Sequence, residues 1–364
     1  MMDNDLTGYL SRSVMSIFKS LVRSALFDRE QRSFLLHAMK FAEKASAKRK
    51  KAEKQGIHIP PFLIASITPD CNLSCKGCYA RANAEKTPDC GGEMLGVDDW
   101  RRIFAEAEDM GISFILLAGG EPFLHLEVPA LAGEFPDLIF PIFTNGTLFK
   151  KENIAMIREH RNLVPLISIE GGKEKTDSRR GKGIYEKIVA AMGRLSAGGI
   201  IFGVSITVTK KNCDEVTDKE FLGDLIDAGA RAVIFVEYES MSADDGDLCF
   251  DEVSRKAFLN RLAKIRAQFP GAVFLAFPGD EKGLGGCLAA GRGFFHINPF
   301  GGAEPCPFSP YSDYNLKNGS LKQAMDSKLF VALRESGILT AEHDGGCVLH
   351  GHENEVRSLL DAEK

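Results

Sequence analysis

Three cysteines, Cys71, Cys75 and Cys78, fall within eight residues in the stretch Cys-Asn-Leu-Ser-Cys-Lys-Gly-Cys. Thiolates are soft ligands that suit zinc or an iron–sulfur cluster. A run this short wraps one inorganic group only if its backbone is a loop, and Gly77 supplies the freedom for tight curvature. Three is the informative number. A closed structural site takes four ligands, so three leave one coordination position open for another molecule. Cys90 stands twelve residues after Cys78 and would complete a zinc site, so a non-enzymatic zinc-binding scaffold is one reading of this segment.

The apolar run Phe62–Ile67 precedes the cysteine loop directly. A second run, Phe114-Ile115-Leu116-Leu117-Ala118, leads into Gly119-Gly120-Glu121-Pro122. Paired glycines after a buried strand let a ligand approach the backbone, and the Glu121 carboxylate is an acceptor for an ammonium group. Together the loop and the turn resemble the radical S-adenosylmethionine (SAM) superfamily, over about residues 62 to 238. The resemblance implies a 4Fe-4S cluster on Cys71, Cys75 and Cys78, with its open iron chelating SAM. It implies that Gly119, Gly120, Glu121 and Pro122 meet the methionine amino group and that Tyr79 lies near the adenine. It also implies cofactor contacts from Asn145, Ser168, Glu170 and Ser205, with Thr207 and Glu237 as further polar strand positions. Asp177-Ser178-Arg179-Arg180-Gly181 is similar to a family stretch in which an arginine, here Arg180, meets the SAM carboxylate. The implied reaction is reductive: one electron enters the cluster, the sulfonium bond breaks, and a 5′-deoxyadenosyl radical abstracts a substrate hydrogen. A low-potential electron donor of ferredoxin or flavodoxin type is the implied partner.

Cys287 and Cys306 lie 19 residues apart, with Gly291, Gly293 and the turn Pro299-Phe300-Gly301-Gly302 between them. This spacing, followed by Asn315-Leu316 and Ser320-Leu321, resembles the opening of the SPASM and twitch auxiliary-cluster domains. It implies a second iron–sulfur cluster, with Cys347 after Gly345-Gly346 as third ligand. The full SPASM pattern has seven cysteines and two auxiliary clusters; this tail has three, enough for one. The fourth ligand is then absent, or non-cysteine with His350 and His352 nearest in sequence, or the substrate itself. His296 and Asn298, beside Arg292 and Glu304, are either core residues or face a substrate cavity. Cys90, Cys213 and Cys249 are left as ordinary thiols.

Both thiol sets need a scaffold. Strand-like runs at Phe62–Ile67, Phe114–Leu117, Ile139–Phe143, Leu166–Ile169, Ile201–Val208 and Ala232–Val236 alternate with helical patterns, and Ala272–Phe277 adds a late strand. One helix has Asp98 as N-cap, Trp100, Ile103, Phe104 and Ala107 on one face and Gly111 as its stop. Strands separated by helices imply right-handed βαβ units on a parallel sheet. The expected fold class is therefore α/β, a partial (β/α)6 TIM-like barrel with its chemistry at the C-terminal ends of the strands. Past Gly279 the pattern shifts to a strand at Phe294–Asn298 and short helices near Leu321–Met325 and Leu329–Glu335. The division expected over the 364 residues is a helical segment 1–60, a barrel 61–280 and an auxiliary-cluster domain 281–364.

Residues 1–60 hold 12 Lys and Arg against 6 Asp and Glu. They read as two helices, Ser13–Leu26 and Arg29–Gln55, the second ending near Lys48-Arg49-Lys50-Lys51. That run is either a solvated helix end or a surface that docks a carrier, peptide or lipid. The net charge of −5 excludes global attraction to nucleic acid. Apolar runs are too short for a transmembrane segment, and Asp3 and Asp5 interrupt any signal peptide, so a cytoplasmic protein is expected. Nine cysteines, an odd number, argue against a disulfide framework there. The expected substrate is a peptide or other natural product, the alternative a small molecule of cofactor biosynthesis.

Overall fold

The computed structural model describes residues 29–86, 92–240, 243–340 and 347–361. The helix expected over Ser13–Leu26, and Cys90, lie outside these residues.

The apolar, β-branched runs form seven parallel strands: β1 Phe62–Thr68, β2 Phe114–Gly119, β3 Phe140–Thr144, β4 Leu163–Ile169, β5 Gly203–Val208, β6 Ala232–Glu237 and β7 Val273–Phe277. They lie side by side in sequence order, as helical crossovers require. Alternate residues of each strand, such as Leu63, Ala65 and Ile67 or Val204, Ile206 and Val208, are fully buried with the helix stripe of Trp100, Ile103, Phe104 and Ala107 in one core. The other face carries the polar positions, and Ser168 pairs in register with Ser205. The sheet is the partial barrel expected, with a seventh strand. The helix Val97–Met110 begins earlier than the pattern suggested: its N-cap is Gly96, and Asp98 and Asp99 occupy the first turn, where they favour the positive end of the helix dipole.

The helix Arg29–Glu53 is not a free docking arm. Its Leu35, Ala38 and Ala42 are buried against Ile139, with Phe114, Val164 and Ile201 packed around them. These residues mark the N-terminal ends of β2 to β5, so the helix closes that end of the barrel. Within the basic run, Lys48, Lys50 and Lys51 are exposed while Arg49 is buried. Arg49 donates to Ser113 Oγ at 3.0 Å and to the Gly111 carbonyl, and burial pulls its pKa down to about 10.

After β7 the chain returns to the other edge of the sheet. β8 (His296–Ile297) pairs in parallel with β1, and β9 (Ala303–Glu304) pairs antiparallel with β8 through the turn at Gly301, whose φ of +89° suits glycine. The helices Leu321–Met325, Lys328–Glu335, Val348–Gly351 and Glu353–Asp361 follow. Among the described residues no helix is long and apolar enough to cross a membrane.

Candidate active site

The first cysteine loop leaves β1 at its C-terminal end and is held from three sides. Gly120 N–H donates to the Thr68 carbonyl at 2.7 Å, and Glu121 N–H donates to the Asp70 carbonyl at 2.7 Å. A Cβ on Gly120 would lie 1.9 Å from the Asp70 oxygen. The glycine pair is thus required by the close approach of two segments of this chain. On the second side, Lys76 N–H donates to the Arg179 carbonyl at 3.0 Å, and Arg179 Nε returns a bond to Lys76 O at 3.2 Å. On the third, Gly77 has a φ of +63°, and a Cβ there would lie 2.3 Å from the Tyr238 hydroxyl.

The three thiols sense one another. Burial raises the pKa of Cys71, and the charges of Glu121, Cys75 and Cys78 add to the rise. Burial also raises Cys75, while Arg180 and Arg179 pull it back toward the thiolate. Cluster ligation needs deprotonated sulfur, so the two guanidinium groups favour the ligand form.

Glu121 is buried, and its carboxylate accepts from Phe123 N–H at 3.1 Å, Thr144 Oγ1 at 2.8 Å and Asn145 N–H at 2.7 Å. Burial raises its pKa against these bonds. The carboxylate expected to meet an ammonium also joins the ends of β2 and β3. Asn145 in turn donates to Asn72 Oδ1 at 2.8 Å, reaching back into the cysteine loop. Pro122 starts the short 3-10 turn Pro122–Leu124 and is buried.

At the end of β4 the buried Glu170 receives two arginines on one oxygen. Arg179 Nη1 lies 2.6 Å from Oε1, and Arg180 reaches the same atom with Nη2 at 2.5 Å and Nε at 2.8 Å. The other oxygen, Oε2, is buried with no hydrogen-bond partner among the described residues. Arg179 also donates to Thr207 Oγ1 at 2.8 Å and so links β4, β5 and the cysteine loop. Only Arg180 was singled out from sequence; the two arginines are adjacent, and helix geometry alone assigns the loop contact to Arg179. Ser168 is half-buried and Ser205 buried, on neighbouring strands. Glu237 turns to the outer core and pairs with Arg255 at 2.6 Å.

Tyr79, at the start of the helix Tyr79–Lys86, packs edge-on to Phe308 with centroids 5.7 Å apart. Its hydroxyl bonds Ser66 and the Gly119 backbone, and burial raises its pKa. Ser66, which sequence reasoning passed over, opens a buried relay. Ser66 Oγ lies 2.7 Å from His296 Nε2, His296 Nδ1 lies 2.7 Å from Glu304 Oε2, and Asn298 donates to Glu304 Oε1 at 2.7 Å. His296 is a core histidine, the first of the two alternatives. Nδ1 faces the Glu304 carboxylate, as a ring N–H donor does, and Nε2 faces the Ser66 hydroxyl.

The second cysteine set also comes together. Cys287 and Cys306 are buried, Cys347 half-buried. The Cys306 thiol hydrogen bonds that of Cys347, and the charges of Cys347 and Cys287 add to the effect of burial in holding Cys306 well above the ordinary thiol range. Backbone bonds fix the meeting: Ala290 N–H donates to Pro305 O at 3.1 Å, and Cys347 N–H donates to Glu239 Oε1 at 2.7 Å. Two polar atoms beside these thiols are buried and without partners, Glu281 Oε1 and Ser309 Oγ. Ser309 donates its N–H to Cys306 O at 2.9 Å, and the Glu281 carboxyl accepts from Cys287. Converging soft ligands flanked by unsatisfied polar atoms fit an iron–sulfur cluster. Of the histidines offered as a fourth ligand, His352 is bonded to Glu355 at 2.9 Å and His350 lies on the helix Val348–Gly351. Cys213 is buried near the outer helices, its pKa pushed up to about 11 by burial.

A groove lined by Lys151, Arg158, Arg161 and Arg194 lies at the N-terminal side of the strands, away from both thiol sets. Its lining carries no soft ligand.

Comparison with known proteins agrees with this geometry. The Radical SAM superfamily pattern matches residues 65–222. The AdoMet-dependent heme synthase of Methanosarcina barkeri is 27% identical over 302 residues, 76% of this chain and 85% of that protein. The mycofactocin maturase MftC of Mycolicibacterium smegmatis is 26% identical over 85% of this chain and 80% of its own. The pre-heme d1 synthase of Dinoroseobacter shibae is 31% identical over 309 residues, 74% of this chain and 73% of that protein. Among solved structures, Streptococcus suis SuiB bound to S-adenosylmethionine superposes with a TM-score of 0.64 over 85% of this chain and 75% of that one, at 18% identity, which speaks to the fold. The superfamily match spans the strands that carry the first cysteine loop, the Gly-Gly-Glu-Pro turn and the two arginines. The chain therefore belongs to the radical SAM superfamily and is an enzyme whose cofactors are SAM and a 4Fe-4S cluster.

Proposed function

We propose that this enzyme modifies a peptide or another natural product by hydrogen abstraction, and that it carries one auxiliary cluster besides the cluster that binds SAM. In this reading Cys71, Cys75 and Cys78 hold the first cluster and Cys287, Cys306 and Cys347 the second. Residues 1–60 form the N-terminal helical segment, 61–280 the SAM-cleaving barrel and 281–364 the auxiliary module. When bound, SAM and the first cluster supply a 5′-deoxyadenosyl radical that takes hydrogen from the substrate.

The observation that carries the reading is the convergence of two separate thiol sets, joined by the relay from Tyr79 through Ser66 and His296 to Glu304. The chain's own part is positional. Arg179 and Arg180 balance the charge of the first thiolates. Gly119, Gly120, Glu121 and Asn145 fix the loop against β2 and β3. The strand-face serines Ser168 and Ser205 offer hydroxyls toward the barrel interior. The barrel-closing helix and the apolar core exclude water from the opposite end. The required electron donor is a ferredoxin- or flavodoxin-type protein, and the compartment is the reducing cytoplasm.

Relatives named as maturases support a peptide substrate, as MftC does. The heme and pre-heme d1 synthases support a second reading, a small molecule of cofactor biosynthesis. Family membership displaces the zinc scaffold. Anaerobic reconstitution tests the core: dithionite should yield SAM-dependent 5′-deoxyadenosine, and its absence rejects the reading. Iron should approach about eight per chain, and about four would remove the auxiliary cluster. A precursor peptide encoded beside this gene that is altered in mass by the enzyme decides for the first substrate class. An unaltered peptide with turnover of a tetrapyrrole decides for the second.

A further inference from the structure

The three cysteines of the tail leave one corner of a four-iron cluster without a protein ligand, and the structure places a carboxyl oxygen beside one of them, Cys287. Glu281 lies in the 3-10 segment Gly279–Leu284, six residues before Cys287, and is 8% exposed. Its carboxyl accepts from the Leu288 N–H and the Cys287 thiol. Oε1 is buried with no hydrogen-bond partner among the described residues. A buried carboxyl oxygen with no hydrogen-bond partner calls for a missing one.

The neighbouring acceptors are already engaged. Glu239 Oε1 takes the Cys347 N–H at 2.7 Å, and His352 is held by Glu355. Arg292 sits beside the site, donating to the Cys287 carbonyl at 2.5 Å, and its positive charge tempers an added anionic ligand. Carboxylate oxygen is a hard ligand, yet it binds iron, and one such ligand among three thiolates leaves a cluster of higher potential than four thiolates would.

We propose that the Glu281 carboxylate is the fourth, non-cysteine ligand of the auxiliary cluster held by Cys287, Cys306 and Cys347. The proposal rests on the auxiliary-cluster reading above. It assigns the open corner to the protein, so that this cluster serves electron transfer or structure and does not bind substrate directly.

The test uses the full chain with Cys71, Cys75 and Cys78 all changed to Ala, so that only the tail binds iron. After anaerobic reconstitution this parent should hold about four irons. In that background Glu281→Ala should lose about one iron in four and show the electron paramagnetic resonance signal of a three-iron cluster after mild oxidation. Glu281→Cys should keep all four irons with a shifted signal in the reduced state and a lower reduction potential. Glu281→Gln, which keeps the shape, guards against misfolding: it should retain the parent's circular dichroism yet show the Ala-type signal. Identical spectra, iron and potential in all four proteins would overturn the ligand assignment while leaving the cluster in place. A parent that binds no iron would overturn the auxiliary-cluster reading and the proposal with it.

Discussion

Ser66 Oγ and His296 Nε2 stand 2.7 Å apart, both nearly inaccessible to solvent, and this bond ties the first strand of the barrel to the first strand of the tail. The two residues are 230 positions apart, yet β8 lies next to β1 in the sheet. The barrel and the tail therefore share one buried polar chain from Tyr79 to Asn298.

His296→Ala breaks that chain at its centre and leaves the Ser66 hydroxyl and Glu304 carboxylate buried without their partner. The expected loss is about 1–3 kcal/mol for the unsatisfied groups, read as a lower denaturation midpoint. Ser66→Ala should cost less, because it removes a hydroxyl and leaves His296 its bond to Glu304. An unchanged midpoint in His296→Ala would show that the relay does not hold the tail to the barrel.

Glu170→Ala leaves Arg179 and Arg180, with side chains 19% and 9% exposed, without their shared carboxylate. Breaking a buried ion pair from one side typically costs about 3–5 kcal/mol, and Glu170→Gln should cost less because the amide oxygen still accepts. Of the arginines, only Arg179 reaches the Lys76 and Gly77 carbonyls. Arg179→Lys should thus lower the iron retained by the first loop during gel filtration, while Arg180→Lys should retain it. Equal retention in the two variants would contradict the separate roles.

Gly77→Ala places a methyl 2.3 Å from the Tyr238 hydroxyl and forces a residue with a side chain to a φ of +63°. The steric part should cost about 1–3 kcal/mol and loosen the loop, with loss of the first cluster. Adding Tyr238→Ala removes the clash but not the backbone strain, so the double variant should recover part of the iron. No recovery would place the defect entirely in the backbone.

Deleting residues 1–55 uncovers Phe114, Ile139, Val164 and Ile201 at the base of the barrel. The truncated protein should be insoluble, because the helix fills the barrel end that the strands cannot close. Arg49→Ala, which leaves the Gly111 carbonyl and Ser113 hydroxyl without this donor, should lower the free energy of unfolding by about 1–3 kcal/mol. A soluble truncated protein that still cleaves SAM would sink this account.

The local features of the chain were legible because short-range chemistry decides them. Cys71, Cys75 and Cys78 can only act together within eight residues, and apolar runs separated by amphipathic stretches permit little besides a parallel sheet. The seven strands accordingly lie where those runs are, shifted by a few residues at their ends. The amphipathic stripe of Arg29–Glu53 was visible too, but not that it faces the base of the barrel: periodicity shows that a face is apolar, not which surface it meets. The same limit hid the roles of polar residues. Glu121 also ties the strand ends, Arg179 holds the loop and Glu281 approaches Cys287, and each of these contacts depends on where a distant segment returns. Ser66 lies in an apolar run and had no signal at all. Its partner His296 comes from β8, placed beside β1 only by sheet order, and hydrogen bonds across such separations exist only once the fold has brought the two strands together.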